Sequence, residues 1–507
     1  MGLIDSKGRL MDSNFSTLDW MIFSSYFLIL ILTTVVLSRT KVKTSRDYFT
    51  GGNAVPLFAV AISVLATSQS AATFLGGPEY AYKHDLTFLG FYGSAFLAII
   101  FVAKVLVPRF YAINAITVYE YLEHRYGEKS KRYAGVMFLV GRLFASGARL
   151  YIGALAISMI LFSDILAVDV AISIAILMIG ALGYTYFGGV KSVIFSDIIQ
   201  AITYIGAGVA VVVYLYYSLD MDFSTIISTL DEKNKLKLVD WSFSGGFTVW
   251  TLLTGWFLLN IAAYGLDQDM TQRVLTCKSQ EEGAKSLIYS IILTIPVALL
   301  FLVIGLLLYI FYHQTTPLGV EQQVDGESVT IFMFYILNEM PEGLRGLVTV
   351  GAIAAALSST NSVLSAMSSV AIEDIYRPWL GRGNDEEHYL KASRFMVLVF
   401  ALLLSLMAMV SFYWQQYTEL PLLSFALGVM AFAYASLLGV YGAAIFTSRG
   451  TEKTVLYALI GGFLTVLLLQ PYMIGALLDI KVDFAIVMVV GTAVSFLIMM
   501  MDKKVDV

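Results

Sequence analysis

The chain has 507 residues, of which 58% are hydrophobic and only 14% charged, with a mean hydropathy of +0.78 and a net charge of −5. Soluble domains carry roughly a quarter charged residues, and a soluble fold of this length has nowhere to put so much apolar surface. Soluble enzymes, disordered scaffolds and, for want of a basic footprint, nucleic-acid binders are excluded. What remains is an all-α polytopic membrane protein.

A helix needs about 20 apolar residues to cross the hydrocarbon core. Such runs fall near 18–38, 55–80, 85–107, 132–162, 166–186, 190–218 and 246–266, then near 284–312, 345–375, 390–412, 418–446, 453–474 and 482–501, which makes 13 expected spans. Met1–Thr17 is polar and the run after it is long enough to remain as an anchor, so no secretory signal peptide is expected. With the N-terminus outside, 21 basic residues fall in inner loops, 8 in outer loops and three (Lys104, Arg142, Arg149) within spans. Positive loops stay in the cytoplasm, so the expected orientation is N-terminus out and C-terminus in, with an odd number of spans. The single cysteine, Cys277, rules out an internal disulfide and a CxxC site, and the four histidines are too scattered to hold a metal.

Polar groups at membrane depth mark function by default, and three places carry them. In the second span, Ala66-Thr67-Ser68-Gln69-Ser70-Ala71-Ala72-Thr73 is followed by Gly76-Gly77-Pro78. It reads as a discontinuous helix broken toward the Gly-Gly-Pro, with freed carbonyls facing a cavity. The alternative is a kinked helix whose hydroxyls bond back to its own carbonyls. Further on, Ala355, Ser358, Ser359 and Ser362 stand at i, i+3, i+4 and i+7 and share one helix face. Hydroxyl and carbonyl oxygens suit a hard cation such as Na⁺, although small residues at this spacing also make ordinary packing faces between membrane helices. Asp197 lies eight residues beyond Gly189, roughly 12 Å up the helix. It needs a cation, a hydrogen-bond network or a proton, or is an interfacial acid paired with Lys191. Arg142 and Arg149, at i and i+7, could each clamp a carboxylate or pair with a neighbouring acid.

At this point the sequence resembles the sodium/solute symporter family, whose members share the LeuT-type fold. The likeness runs from about residue 46 to 446 and is carried by DYFTGGNAVP (47–56), TVYEYLEHRYG (117–127), YTYFGGVKSVIFSDIIQ (184–200), GLDQDMTQRVLTCKS (265–279) and ALSSTNSVLSAMSSVAIEDIY (356–376). The resemblance implies a single transporter domain with a peripheral first helix at 18–38. Two five-helix inverted repeats would follow at 55–218 and 246–446, and two further helices at 453–501.

It further implies Na⁺ as the coupling ion, with no other cofactor. The ligands would be the carbonyls of Ala66, Gln69 and Ala355 and the hydroxyls of Ser358 and Ser359. A second Na⁺ would take Asp197 and Ser362, with Asn361 standing where two-sodium members place a hydroxyl. Sugar-carrying members have Gln, Glu and Lys at the places of Thr73, Tyr92 and Thr294, which argues against a simple hexose here. Asn260 is kept, and an aromatic gate residue becomes Ala263 with Tyr264 beside it. Ser68 and Ser70 join these as substrate candidates, and Arg142 and Arg149 lie about one turn from the arginine that sialic-acid carriers use.

The reading is a Na⁺-coupled importer working by alternating access in the inner membrane as a monomer. The solute leans toward an organic anion, such as sialic acid or a monocarboxylate, with a sugar as the alternative and a proton-coupled carrier using Asp197 as the second. A channel would need a continuous polar pore, and an embedded enzyme would need paired acids, a metal set or an activated nucleophile within the spans; neither pattern is present.

Overall fold

The computed structural model describes residues 15–37, 42–162, 164–243, 245–315, 323–324, 327–415, 422–470, 473 and 482–502. The helices in chain order are α1 (Thr17–Leu37), α2 (Ser45–Thr50), α3 (Leu57–Ser68), α4 (Ala71–Lys83), α5 (Leu89–Ala112), α6 (Glu120–Tyr126), α7 (Glu128–Phe162), α8 (Ala167–Ser218) and α9 (Phe223–Glu232). They continue as α10 (Val249–Gly265), α11 (Gln268–Val274), α12 (Gln280–Thr315), α13 (Ile331–Asn338), α14 (Leu344–Leu380), α15 (Glu386–Gln415), α16 (Leu422–Phe446), α17 (Glu452–Leu468) and α18 (Phe484–Met500). A two-residue antiparallel ribbon between α12 and α13 pairs Gln323 with Ser328.

Among the described residues, the apolar windows are filled mainly by helix. Among the described residues, seven helices are long and apolar enough to cross a membrane, and two bent pairs raise that to nine. Several of the basic residues used for the orientation, such as Lys7, Arg39, Lys41, Lys481 and Lys503, lie outside the described residues.

Exposure follows the bilayer logic. α1 turns Met21, Ile31 and Val36 outward and is fastened at one end: the buried Asp19 carboxylate accepts from the amides of Gly343 (2.8 Å) and Gly346 (2.6 Å) at the start of α14. A carboxylate suits a helix N-terminus, where backbone amides are unpaired and the dipole is positive. α14 is the central element, with 94% of its most apolar window buried, and it packs along α8, α7 and α15. α8 holds two spans joined at Gly189, whose φ of 60° lies in the left-handed region that glycine alone takes without strain. A side chain there would strike the Tyr48 carbonyl.

Candidate functional site

The helix started at Leu57 stops where its side chains offer the backbone other partners. Gln69 (φ −86°, ψ 137°) and Ser70 (φ −137°, ψ 173°) are extended. Thr67 Oγ1 donates to the Ser63 carbonyl (2.9 Å) and Ser68 Oγ to that of Leu65 (2.7 Å). Thr73 Oγ1 accepts from the Ser70 amide at 2.8 Å, the amide that a continuous helix would have given to the Ala66 carbonyl. Ala66 is thereby left with a main-chain acceptor at the break. The break falls at Gln69–Ser70, not at Gly76-Gly77-Pro78, which stay inside α4. α12 packs closely against this stretch: a side chain at Gly305 would collide with the Pro78 backbone.

On α14 the hydroxyls spend their protons within the protein. Ser358 Oγ donates to Asp197 Oδ1 (3.0 Å), Ser359 Oγ to the Ala356 carbonyl (3.1 Å) and Ser362 Oγ to the Ser359 carbonyl (3.0 Å). Their remaining lone pairs are what a hard cation needs. Asn361 is fully buried and neither atom of its side-chain amide has a hydrogen-bond partner; its carbonyl accepts from Thr185 Oγ1 (3.2 Å).

Asp197 does not pair with Lys191, which is exposed and, six residues away, lies on another face of the helix. The buried carboxylate instead meets Ser63 Oγ (2.5 Å) and Arg273 Nη2 (3.2 Å). Arg273 reaches on to Asp269 Oδ1 (3.0 Å), and the other oxygen of Asp269 binds Arg142. Arg142 Nη1 stands 2.8 Å from Asp267 Oδ2, an oxygen that also accepts from the Tyr434 hydroxyl. Asp267 holds its own backbone as well: Oδ1 caps α11 through the Asp269 amide (2.9 Å).

A cavity of about 60 Å³ lies against this chain of charges, room for a few water molecules. Ser68, Ser70, Thr73, Tyr92, Arg142, Arg149, Asn260 and Tyr264 border it, with Phe88, Phe91, Asp267, Met270 and Tyr434. Thr294 does not: it is buried on α12 and donates to the Ser290 carbonyl (2.7 Å). Gln69 Nε2 donates to the Tyr92 hydroxyl (3.4 Å), tying the break in α3–α4 to the cavity wall. Arg142 is committed to two carboxylates. Arg149, half-buried, faces the cavity and also a smaller one of about 10 Å³ beside Ser146, Ser359 and Thr360.

Asp267, Asp269, Arg273 and Tyr434 were not singled out by sequence reasoning. The legible signal for three of them was two acids and an arginine within nine residues between the apolar runs of α10 and α12; Tyr434 had none.

Away from the cavity, a closed wall of side chains grips the segment between α5 and α6. Gln268 Oε1 accepts from the Val118 amide (3.0 Å) while its Nε2 donates to the Ile116 carbonyl (2.9 Å). Thr117 Oγ1 donates to Asp374 (2.6 Å), Tyr441 to the Val118 carbonyl (2.7 Å) and Tyr119 to that of Leu266 (3.0 Å).

Comparison with known proteins places this architecture. The model of the sodium:solute symporter family matches residues 48–462. The sodium/sialic acid symporter SiaT of Proteus mirabilis is 28% identical over 399 residues, 78% of each chain. Human sodium-coupled monocarboxylate transporter 1 is 27% identical over 83% of this chain and 67% of its own. The solved structure of a Na⁺-coupled sialic acid symporter in its substrate-bound outward-open state superposes with a TM-score of 0.82 at 25% identity, covering 97% of this chain and 100% of that one. The chain belongs to the sodium:solute symporter family, an all-α integral membrane protein that couples the movement of a small solute to Na⁺.

Proposed function

We propose that this symporter imports a small organic anion, with Arg149 as the group that receives its carboxylate. The observation that carries this reading is a second guanidinium at the cavity: Arg149 borders it beside Ser70, Thr73 and Asn260, next to the Arg142 that Asp267 and Asp269 hold. A forked, permanently charged donor matches a carboxylate in two-point geometry. Phe88, Phe91 and Tyr264 supply apolar walls beside Asn260, Ser70 and Thr73, a mixture suited to a compact polar solute. The likeness to a sialic acid symporter and to a monocarboxylate transporter, both carriers of carboxylates, supports the same class.

The main Na⁺ site takes the carbonyls of Ala66, Gln69 and Ala355 and the hydroxyls of Ser358 and Ser359. Na⁺ there joins the break between α3 and α4 to α14 and favours one arrangement of the two, which substrate then closes; a ligand without such a preference would shift nothing. A second ion would use Asp197, Asn361 and Ser362, and the unpartnered Asn361 amide is the feature that favours it. The repeats at 55–218 and 246–446 are the two halves that move against each other. The protein acts as a monomer in the cell membrane, N-terminus out and C-terminus in, as the basic loops indicate.

The test is thermal stability of the purified protein with sialic acids, monocarboxylates, sugars and amino acids, each in Na⁺ and in K⁺. A ligand bound only by the native state raises the melting temperature by mass action. The expected result is a carboxylate that does so only in Na⁺. A neutral sugar as the sole Na⁺-dependent ligand would refute the anion reading, and indifference to Na⁺ would refute the ion site.

A further inference from the structure

The buried charges form one continuous path from the α14 hydroxyls to the cavity. It runs Ser358, Asp197, Arg273, Asp269, Arg142, Asp267 and Tyr434, with separations of 3.0 Å (Ser358–Asp197), 3.2 Å (Asp197–Arg273), 3.0 Å (Arg273–Asp269) and 2.8 Å (Arg142–Asp267) where sign alternates. The links Asp269–Arg142 and Asp267–Tyr434 complete it. Every member is buried, and the groups come from α14, α8, α11, α7 and α16. From the geometry we propose that Asp269 and Arg142 are positioning residues that convey occupancy of the sodium site to the substrate cavity.

Charge arriving beside Ser358 acts directly on Asp197, which accepts from Ser358 on one oxygen and from Ser63 and Arg273 on the other. Arg273 in turn divides its fork between Asp197 and Asp269, and Arg142 divides its own between Asp269 and Asp267. A group that strengthens one contact loosens the other, and burial of every member keeps the exchange weakly screened. The far end of the path is the cavity wall itself, where Asp267 and Tyr434 stand beside Arg149. Nothing in this path touches the coupling ion at the cavity end or the substrate at the ion end, so its members act through one another.

The inference rests on the sodium site proposed above, and the test separates the two. On a Cys277→Ser background, Ala263→Cys places one thiol on the cavity wall, and its rate of modification by a cationic methanethiosulfonate is read in Na⁺ and in K⁺. Thermal stability in the same two salts reports Na⁺ binding independently. The parent should show a Na⁺-dependent rate change of about tenfold, within the usual range of site-to-site coupling. In Asp269→Asn/Arg142→Gln, which removes one charge of each sign together, the rate change should fall below about twofold while the Na⁺-induced stabilisation persists. Arg142→Lys, which keeps the charge but loses the fork, is the second variant should the first not fold, and should reduce the change likewise. A variant that binds Na⁺ and keeps the parental rate change overturns the path. So does a parent stabilised by Na⁺ whose labelling ignores it, and a parent not stabilised by Na⁺ overturns the ion site beneath both.

Discussion

Gln268→Ala tests whether the closed wall is a latch. In the structure one amide side chain holds three groups at once: the Val118 amide at 3.0 Å, the Ile116 carbonyl at 2.9 Å and, more weakly, Ser369 Oγ at 3.3 Å. All are buried, so losing the side chain leaves main-chain groups without partners in this arrangement, whereas water could satisfy them once the wall opened. Taking about 1 kcal/mol net for each of the two main-chain bonds, truncation costs the closed form about 2 kcal/mol, roughly 30-fold in the equilibrium at 1.4 kcal/mol per decade. The shift is bounded because Asp374, Tyr441 and Tyr119 still grip the same segment. Spin labels at the exposed positions Ala112 and Asp385, on either side of the latch, would report it as a new population of longer distances in Na⁺-free buffer. If the folded variant gives the parental distance distribution, the wall is static packing and the reasoning fails.

Ser359→Ala removes a lone-pair donor from the proposed main sodium site and should raise the Na⁺ concentration for half-maximal uptake by about tenfold, as for one lost charge-assisted contact; Asp197→Asn should do less if one ion operates. An unchanged sodium titration for Ser359→Ala would void that assignment. Arg149→Gln should raise KM for the carboxylate substrate by roughly 10- to 100-fold with little effect on Na⁺-induced stabilisation, and an unaltered KM would release Arg149 from substrate binding. Gly189→Ala forces a Cβ against the Tyr48 carbonyl at a left-handed φ, so the melting temperature should drop by the equivalent of about 1–2 kcal/mol or more; an unchanged value would mean that α8 can straighten there.

Hydropathy carried the spans because lipid exposure is a property of each run by itself. α1, α5, α7, α12, α14 and α15 all fill the windows that their apolar residues mark out. The break in the second span was legible as a cluster of Thr, Ser and Gln, but its position was not. Gly76-Gly77-Pro78 looks like the stronger breaker, yet in the fold α4 runs through it while Gly305 of α12 packs against its backbone. The bend between α10 and α11, at 54°, was hidden because Gly265–Asp267 reads as the ordinary end of a span. Short helices such as α2, α6 and α13 hold too few residues for a periodic signal. Around the site, cavity-facing residues on broken helices were readable from their cost in lipid, while the partner of Asp197 was not. Arg273 lies 76 residues away in sequence, and no spacing rule links two helices that meet only in the fold. Thr294 stands away from the cavity for the converse reason, since its rotation about α12 turns it to its own backbone.

The charges around the cavity also bear on what can be carried. Three carboxylates, those of Asp197, Asp267 and Asp269, stand among three guanidiniums, those of Arg142, Arg149 and Arg273. Such a set is neutral in sum, which is the condition under which buried charges are tolerated. Adding Na⁺ alone leaves one uncompensated positive charge in a desolvated region, and adding an anion alone leaves one negative; both are costly. Together they restore the balance, so each ligand favours the other without any direct contact between them. A neutral sugar has no such effect, and would have to couple through shape alone. The same charge balance sets the electrical signature. One Na⁺ with one monocarboxylate crosses without net charge, so turnover should be insensitive to membrane potential. A second Na⁺ at Asp197 and Ser362 would have to compete with Arg273 for the same carboxylate and would make turnover carry current. Uptake measured in proteoliposomes across imposed potentials distinguishes the two, and a substrate-dependent inward current would show that the second site is filled during transport.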